Sequence, residues 1–424
     1  MKLNSVLIFL ATSYASFSGC AGADNATITF NASSDASSSV GAAYFITNSV
    51  DGNYVVSADI GADGQLSLAS AIPTGGNGSH VQTGNPIAPD AFFSQAPIVA
   101  SSSGNVLATI NAGANTVSAF AIDPTNPSNL TAIGEPVSSE GDFPISVAIN
   151  HAGDRVCVLN GGQRNGVSCY SVNSTGLVSV PGTVRLIGQP QITPPFGPAT
   201  SLSQVIFTED EKHLVAAVKG LTQTQTNFSC KGYLAVWDVA ANGSLSENFT
   251  KVYPKDGGAS PFAMTIIPGS NAIFAADTAI GYDIFDFSDV STASTSNRSS
   301  ANATPGGGNC WSAYSNKTGS YYLVAPGSDN VTEVTINSDL TSSVVNVYQL
   351  SNTANTLDIA TASFNDKSFA YILQPNSTSI GILSLDASGN ATLVQNYNWS
   401  SIATNGGLSF DPLYLAGMTT FIKP

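Results

Sequence analysis

Hydrophobic and polar positions along this chain alternate in short runs separated by turns rich in Gly, Asp and Asn. A representative stretch is "PISVAINHAGDRVCVLNGGQRNGVSCYSVN" from Pro144. It contains an apolar run, the turn "NHAGD", a second apolar run, the loop "GGQRN" and a third run. Such runs are too short for helices, are rich in β-branched residues and are bounded by turn formers, which is the signature of strands. No long segment places its apolar residues at helical spacing, which argues against an α/β enzyme fold.

The pattern then repeats. Units opening at Pro97, Pro144, Ser203, Pro261, Asn309 and Leu357 share one plan of strand, turn, strand, loop, strand, turn and strand. Their length, roughly 45 to 60 residues, is that of a four-stranded propeller blade. The segment from Ala42, "AAYFITNSVDGNYVVSADIGADGQLSLAS", has the last three strands of the plan and lacks the first. The C-terminal "GGLSFDPLYLAGMTTF" can supply it. A chain that begins part-way through a blade and ends with that blade's missing strand closes into a ring without an open edge. The expected fold is therefore all-β, a seven-bladed propeller over 41–424.

The first 40 residues read differently. Lys2, the apolar run "VLIFLA" and the small residues that follow have the form of a secretory signal peptide over 1–23, too short to span a bilayer. Residues 24–40, small and polar, read as a flexible leader. No later segment is apolar for long enough to be a membrane helix, and the C-terminus has no hydrophobic anchor tail. The expectation is a secreted, extracellular protein.

Export changes the reading of the cysteines. Cys157 and Cys169 lie symmetrically about Gln163, so pairing of "RVCVLN" with "GVSCYSV" sets them opposite each other on one hairpin. A cross-strand disulfide is expected there, since export places the chain where disulfides persist. Cys230 and Cys310 are the other mature candidates, two blades apart.

Composition adds two constraints. Only 10% of residues are charged and the formal net charge is -15, which excludes nucleic acid and anionic membrane as natural partners. Solubility is expected from glycans, because Asn-X-Ser/Thr sequons recur throughout. Asn25 and Asn31 precede the propeller. Asn129, Asn173, Asn242 and Asn390 fall in turns between third and fourth strands, and Asn316 in a turn between first and second. Asn77 lies in a crossover between blades, and Asn227, Asn330 and Asn376 in loops between second and third strands. Asn248, Asn297, Asn302 and Asn398 complete the set. None is in an expected inner strand.

The opening "NSVDGNYVVSADI…GQLSLAS", the turns "SSSGNVLATIN" and "NHAGDRVCVLN", and "FTEDEKHLVAAVKG…GYLAVWDVAANGSLS" resemble the seven-bladed lactonase-like propellers. These include bacterial 6-phosphogluconolactonases and fungal 3-carboxymuconate cyclases, and the chain is most similar to the exported, carboxymuconate cyclase-like fungal branch. Trp237-Asp238 suggests the Trp-Asp repeat family, but the dipeptide occurs once and without a Gly-His partner in each blade. A packed Trp followed by a turn-forming Asp accounts for it.

The resemblance implies a ligand on the face that carries the second-to-third loops and the crossovers between blades. Arg164 and Lys219 end second strands there and would offer a positive partner to a lactone or carboxylate. Asp142, Asp256 and Asp277 are the carboxylates at similar depth, candidates for acid or base. Asn160 and, in the long crossover, His80 are further candidates, whereas His151 and His213 fall on the opposite face. The expected catalytic set is Lys219, Arg164 and Asp277, and the expected binding set Asn160, Asp142, Asp256 and His80. The resemblance also implies a His after the first residues of an inner strand; Ser146, Gln204 and Ala263 stand at those places instead. No metal spacing or phosphate-binding glycine loop is present. No cofactor is expected, although the carboxylates are compatible with a divalent cation. The expected activity is opening or closing a lactone ring on a small carboxylated molecule; the alternative is a non-catalytic extracellular or wall-associated propeller that binds a glycan.

Overall fold

A computed structural model describes residues 26–30, 39–84, 87–221, 231–350 and 355–424. The expected signal peptide, most of the leader, Asn25, Asn31, Asn227 and Cys230 lie outside the described residues.

Seven antiparallel sheets of four or five strands form the seven blades. Six are contiguous in sequence. Their inner strands are Ile98–Ser101, Pro144–Ile149, Leu202–Phe207, Pro261–Ile267, Trp311–Ser315 and Ile359–Phe364, and they define blades 2 to 7 in that order. In blade 1 the chain begins on the second strand, Gly41–Ile46, and its inner strand is Ala416–Ile422 from the far end of the sequence. Gly41 pairs with Ile422, Ala42 with Phe421 and Tyr44 with Thr419, so the ring closes as the repeat pattern predicts. A glycine is needed at 41, because a Cβ there would lie 2.3 Å from the carbonyl oxygen of Phe421. Blade 1 also gains a short outer strand, Ile28–Thr29, and Phe30 behind it is buried. An apolar residue beside an unpaired sheet edge has thus drawn part of the polar leader onto the blade.

Strands buried on both faces read as nearly continuous apolar runs, because each blade packs against two neighbours. Arg155–Asn160 ("RVCVLN") and Ala272–Asp277 ("AIFAAD") are examples, buried along almost their whole length. Cys157 and Cys169 are direct cross-strand partners in blade 3 and form the expected disulfide, with Cα atoms 4.0 Å apart. Both are fully buried within the apolar cluster of blades 1 to 4. Replacing both by Ala is expected to cost about 2–4 kcal/mol, through loss of a constraint on the unfolded chain and of packing around the sulfurs. Urea unfolding of the double variant would read this, and an unchanged midpoint would contradict it.

The crossover from blade 1 to blade 2 determines the interior. Its last residues, Ser94 to Ala96, run into the central channel and bond to inner strands on several sides. Ser94 donates its hydroxyl to Ile145 O, and the Trp311 indole donates to Ser94 O. The Gln95 N–H donates to Ser203 O, and its side-chain amide makes a two-way pair with the backbone of Ser312. Ala96 O accepts from Val147 N–H. These bonds reach blades 3, 4 and 6, and the segment acts as a hub. The inner strands of blades 3, 4 and 5 carry register shifts near their starts; Ile145 and Ser203, whose carbonyls the hub uses, lie at two of them. Ser146, at one position where a His was implied, accepts Val205 N–H from the next blade, and Gln204, at another, accepts Met264 N–H.

Candidate active site

On the crossover face a cavity of about 270 Å³ lies over the hub, between the crossover and blades 4 to 7. Phe93, Phe262 and Pro198 make much of its wall, and Asp90, Ser260 and Thr278 are among its polar groups. The crossover supplies Asp90, which the sequence analysis did not single out. It sits at positive φ, and its Oδ1 accepts the N–H groups of Phe92 and Phe93. This Asx-type cap turns the chain down into the channel.

Lys219 follows the second strand of blade 4 and lies beneath Asp90. Its side chain does not reach solvent: the residue is 2% exposed. Nζ donates to Phe93 O and Leu202 O and lies 4.6 Å from the centre of the Phe262 ring. Burial lowers the Lys219 ammonium well below its usual range, against the opposing pull of Asp90. Burial likewise raises the Asp90 carboxyl, while the Phe93 N–H and the Lys219 charge act to lower it. The two groups are thus drawn toward each other's protonation range, the condition that suits proton transfer near neutral pH. Cys310 borders the same cavity, and burial pushes its thiol up, away from the reactive thiolate.

Asp358, also unforeseen, precedes the inner strand of blade 7 and accepts the N–H of Gly417 in the closing strand. Burial raises its carboxyl to about 8, with the Asp90 charge adding to the shift. A carboxyl that holds its proton more tightly folded than unfolded stabilises the fold below its unfolded value, and that contribution fades as pH rises through the folded one. Stability attributable to Asp358 is therefore expected to fall between about pH 4 and pH 8. Thermal melts across that range should show a shallower slope for Asp358→Asn, whose amide oxygen still accepts from Gly417. An unchanged slope would contradict the assignment.

The other candidates are distributed around this centre. Asp277 is fully buried; Oδ2 accepts from the N–H groups of Ala259 and Ser260, and Oδ1 from that of Ala279. Next to it Asp283, also fully buried, is raised far above the carboxylate range by burial and then by the Asp277 charge. Asp277 thereby fixes Ser260 at the cavity wall, and Thr278 donates to Ser260 Oγ, which leaves the Ser260 hydroxyl hydrogen for another acceptor. Asn160 exchanges two hydrogen bonds with Ser139 and ties the connection from blade 2 into blade 3. His80 is buried, its ring nitrogens against Val81 O and Ala88 O, and it shapes the crossover. Arg164 and Asp142 are joined through the Arg164 N–H and the Asp142 carboxylate, with the guanidinium exposed. Asp256 is exposed. None of these last five lines the cavity over the hub. On the other face His213 meets Asp238, and Trp237 is fully buried against Phe249.

Every described sequon Asn is exposed or half-buried. Among the described residues no cluster of three or more His, Cys, Asp or Glu side chains could hold a metal ion, and no helix is long and apolar enough to cross a membrane.

Residues 53–191 match the family model described as lactonase, seven-bladed β-propeller. The fold is similar to that of a periplasmic gluconolactonase of Pseudomonas aeruginosa, with TM-score 0.59 and 15% identity over 90% of this chain and 100% of that one. It is also similar to a candidate 6-phosphogluconolactonase of Bacteroides fragilis, with TM-score 0.58 and 15% identity over 90% and 98%. A protein of unknown function from Desulfotomaculum acetoxidans matches with TM-score 0.56 and 12% identity over 90% and 99%. No curated protein matches by sequence.

Proposed function

We propose that this lactonase-like seven-bladed propeller is a secreted glycoprotein that opens or closes the ring of a small lactone in the cavity over the hub. The reading is carried by one observation: a buried carboxyl, Asp90, lines the cavity and is backed by the buried side chain of Lys219. In hydrolysis, Asp90 as carboxylate takes a proton from water, whose oxygen bonds to the lactone carbonyl carbon. The ring C–O bond then breaks, and the proton passes from Asp90 to the departing ring oxygen. The Ser260 hydroxyl is placed to donate to the carbonyl oxygen as charge develops there. Lys219 is a positioning residue: its charge favours the ionised form of Asp90, and its hydrogen bond to Phe93 O holds the crossover in place. Lactonisation is the reverse path.

The scale fits a small substrate, since about 270 Å³ is at the low end for ligand pockets. Glycans at Asn77, Asn330 and Asn376 would surround the mouth and hinder large partners while admitting small ones. The test is a panel of sugar and carboxylated lactones assayed with the secreted, glycosylated protein. Turnover of any of them that is lost in Asp90→Asn supports the reading.

A second reading is favoured by Ser146, Gln204 and Ala263, which stand where the resemblance implies a His. A propeller lacking that acid–base group would use the same face to bind an extracellular glycan. A panel without turnover, together with retention on a glycan array, would favour it.

A further inference from the structure

Below the hub the central channel forms a second cavity, of about 480 Å³, on the face opposite the proposed active site. Gln95 and Ala96 are its roof, so it is a blind well rather than a passage. Its walls are the inner strands, with Val99, Ala148, Val205 and Ile266 facing inward. Two features give this well polarity. Near the roof, Gln204 is 3% exposed and lines the cavity; its Oε1 accepts Met264 N–H, which leaves the side-chain amide N–H groups to donate elsewhere. A ligand oxygen at that depth would accept from this amide in place of water. At the rim, Glu209 accepts from the N–H groups of Gly269 and Asn271, and Glu211 from that of His151. Both carboxylates border the opening, and backbone N–H donors hold them in place. The four residue steps from Gln204 to Thr208 separate roof from rim by about 13 Å.

We infer that this well is a binding site for a slender amphiphile with a hydroxyl or carbonyl oxygen at one end, an apolar middle of about eight carbons and a cationic amine at the other. The oxygen accepts from Gln204, the chain lies along the apolar walls, and the ammonium meets Glu209 and Glu211 at the mouth. The chain's overall acidity favours the same sign of ligand charge.

The test is calorimetric titration of the intact secreted protein with 8-amino-1-octanol, 1-octanol and octanoate. The amino alcohol is expected to bind more tightly than octanol, and octanoate not at all. Gln204→Met should weaken the amino alcohol and octanol alike, by about fivefold. Glu211→Gln keeps an oxygen for the His151 N–H, whereas Glu209→Gln keeps one for only one of its two backbone donors, so its melt is recorded as well; each should weaken only the amine, by about two- to fivefold. Ala148→Phe should fill the well and abolish binding; its melting curve would establish that it folds. Absence of binding by the wild-type protein, equal binding of amine and octanoate, or full binding to a folded Ala148→Phe variant would overturn the site. None of these variants touches the cavity that holds Asp90, so lactone turnover is independent of the outcome.

Discussion

Removal of residues 416–424 is expected to leave no folded monomer. The closing strand buries Ala416, Met418 and Phe421, with Leu415 just before it, and each large apolar side chain so buried is worth about 1.5–3 kcal/mol. Truncation also uncovers Gly41–Ile46, a strand buried along its entire length, as an unprotected apolar edge. Such an edge templates pairing with other chains. Asp358 would lose the Gly417 N–H as well. Size-exclusion chromatography should find aggregate in place of monomer, and a monomer that melts cooperatively would contradict the prediction. Phe421→Ala tests the same contact more gently. Its expected cost is about 3–5 kcal/mol, read from the urea midpoint.

The second large effect concerns chemistry. With whichever lactone is turned over, Asp90→Asn is expected to reduce kcat by about 10²–10⁴-fold while changing KM little, since the lost step is proton transfer. The fold should persist, because an asparagine oxygen can still accept the N–H groups of Phe92 and Phe93. Lys219→Met separates positioning from proton transfer. Without the cation the Asp90 carboxyl rises further, so the acid limb of the pH–rate profile should move to higher pH. The methionine strands the carbonyls of Phe93 and Leu202, so the melt must be recorded beside the profile. Activity within tenfold of wild type in Asp90→Asn would remove Asp90 from the mechanism.

The fold was legible because each blade encodes itself locally. The alternation within "PISVAINHAGDRVCVLN", its turn residues and the incomplete first unit were sufficient to place seven blades and the closing strand. The Cys157–Cys169 bridge was visible for the same reason: hairpin symmetry is a local property. The candidate site is not local. Asp90 lies in a crossover without periodicity, and nothing in its spacing indicates that residues 94 to 96 enter the channel. The one available signal was Phe92-Phe93, an adjacent pair of large apolar side chains in a segment otherwise suited to solvent. Asp358 was hidden similarly, as a lone carboxylate directly before an inner strand. Lys219 was placed at the correct end of its strand, but the hub above it, which shields it from water, is a product of tertiary structure.

The hub also has a consequence for the order in which the molecule is made. Gln95 is synthesised early, yet one of its partners, Ser312, follows 217 residues later. Until blade 6 has emerged, the Gln95 side-chain amide and the Ser94 carbonyl lack their partners Ser312 and Trp311, although the hub can already bond to blades 3 and 4. Blades assembled early in translation are therefore provisional. The barrier to the native state belongs to the whole ring, and the high sequence separation of these contacts favours slow folding. During that interval the exposed apolar inner strands of the nascent chain are an aggregation hazard.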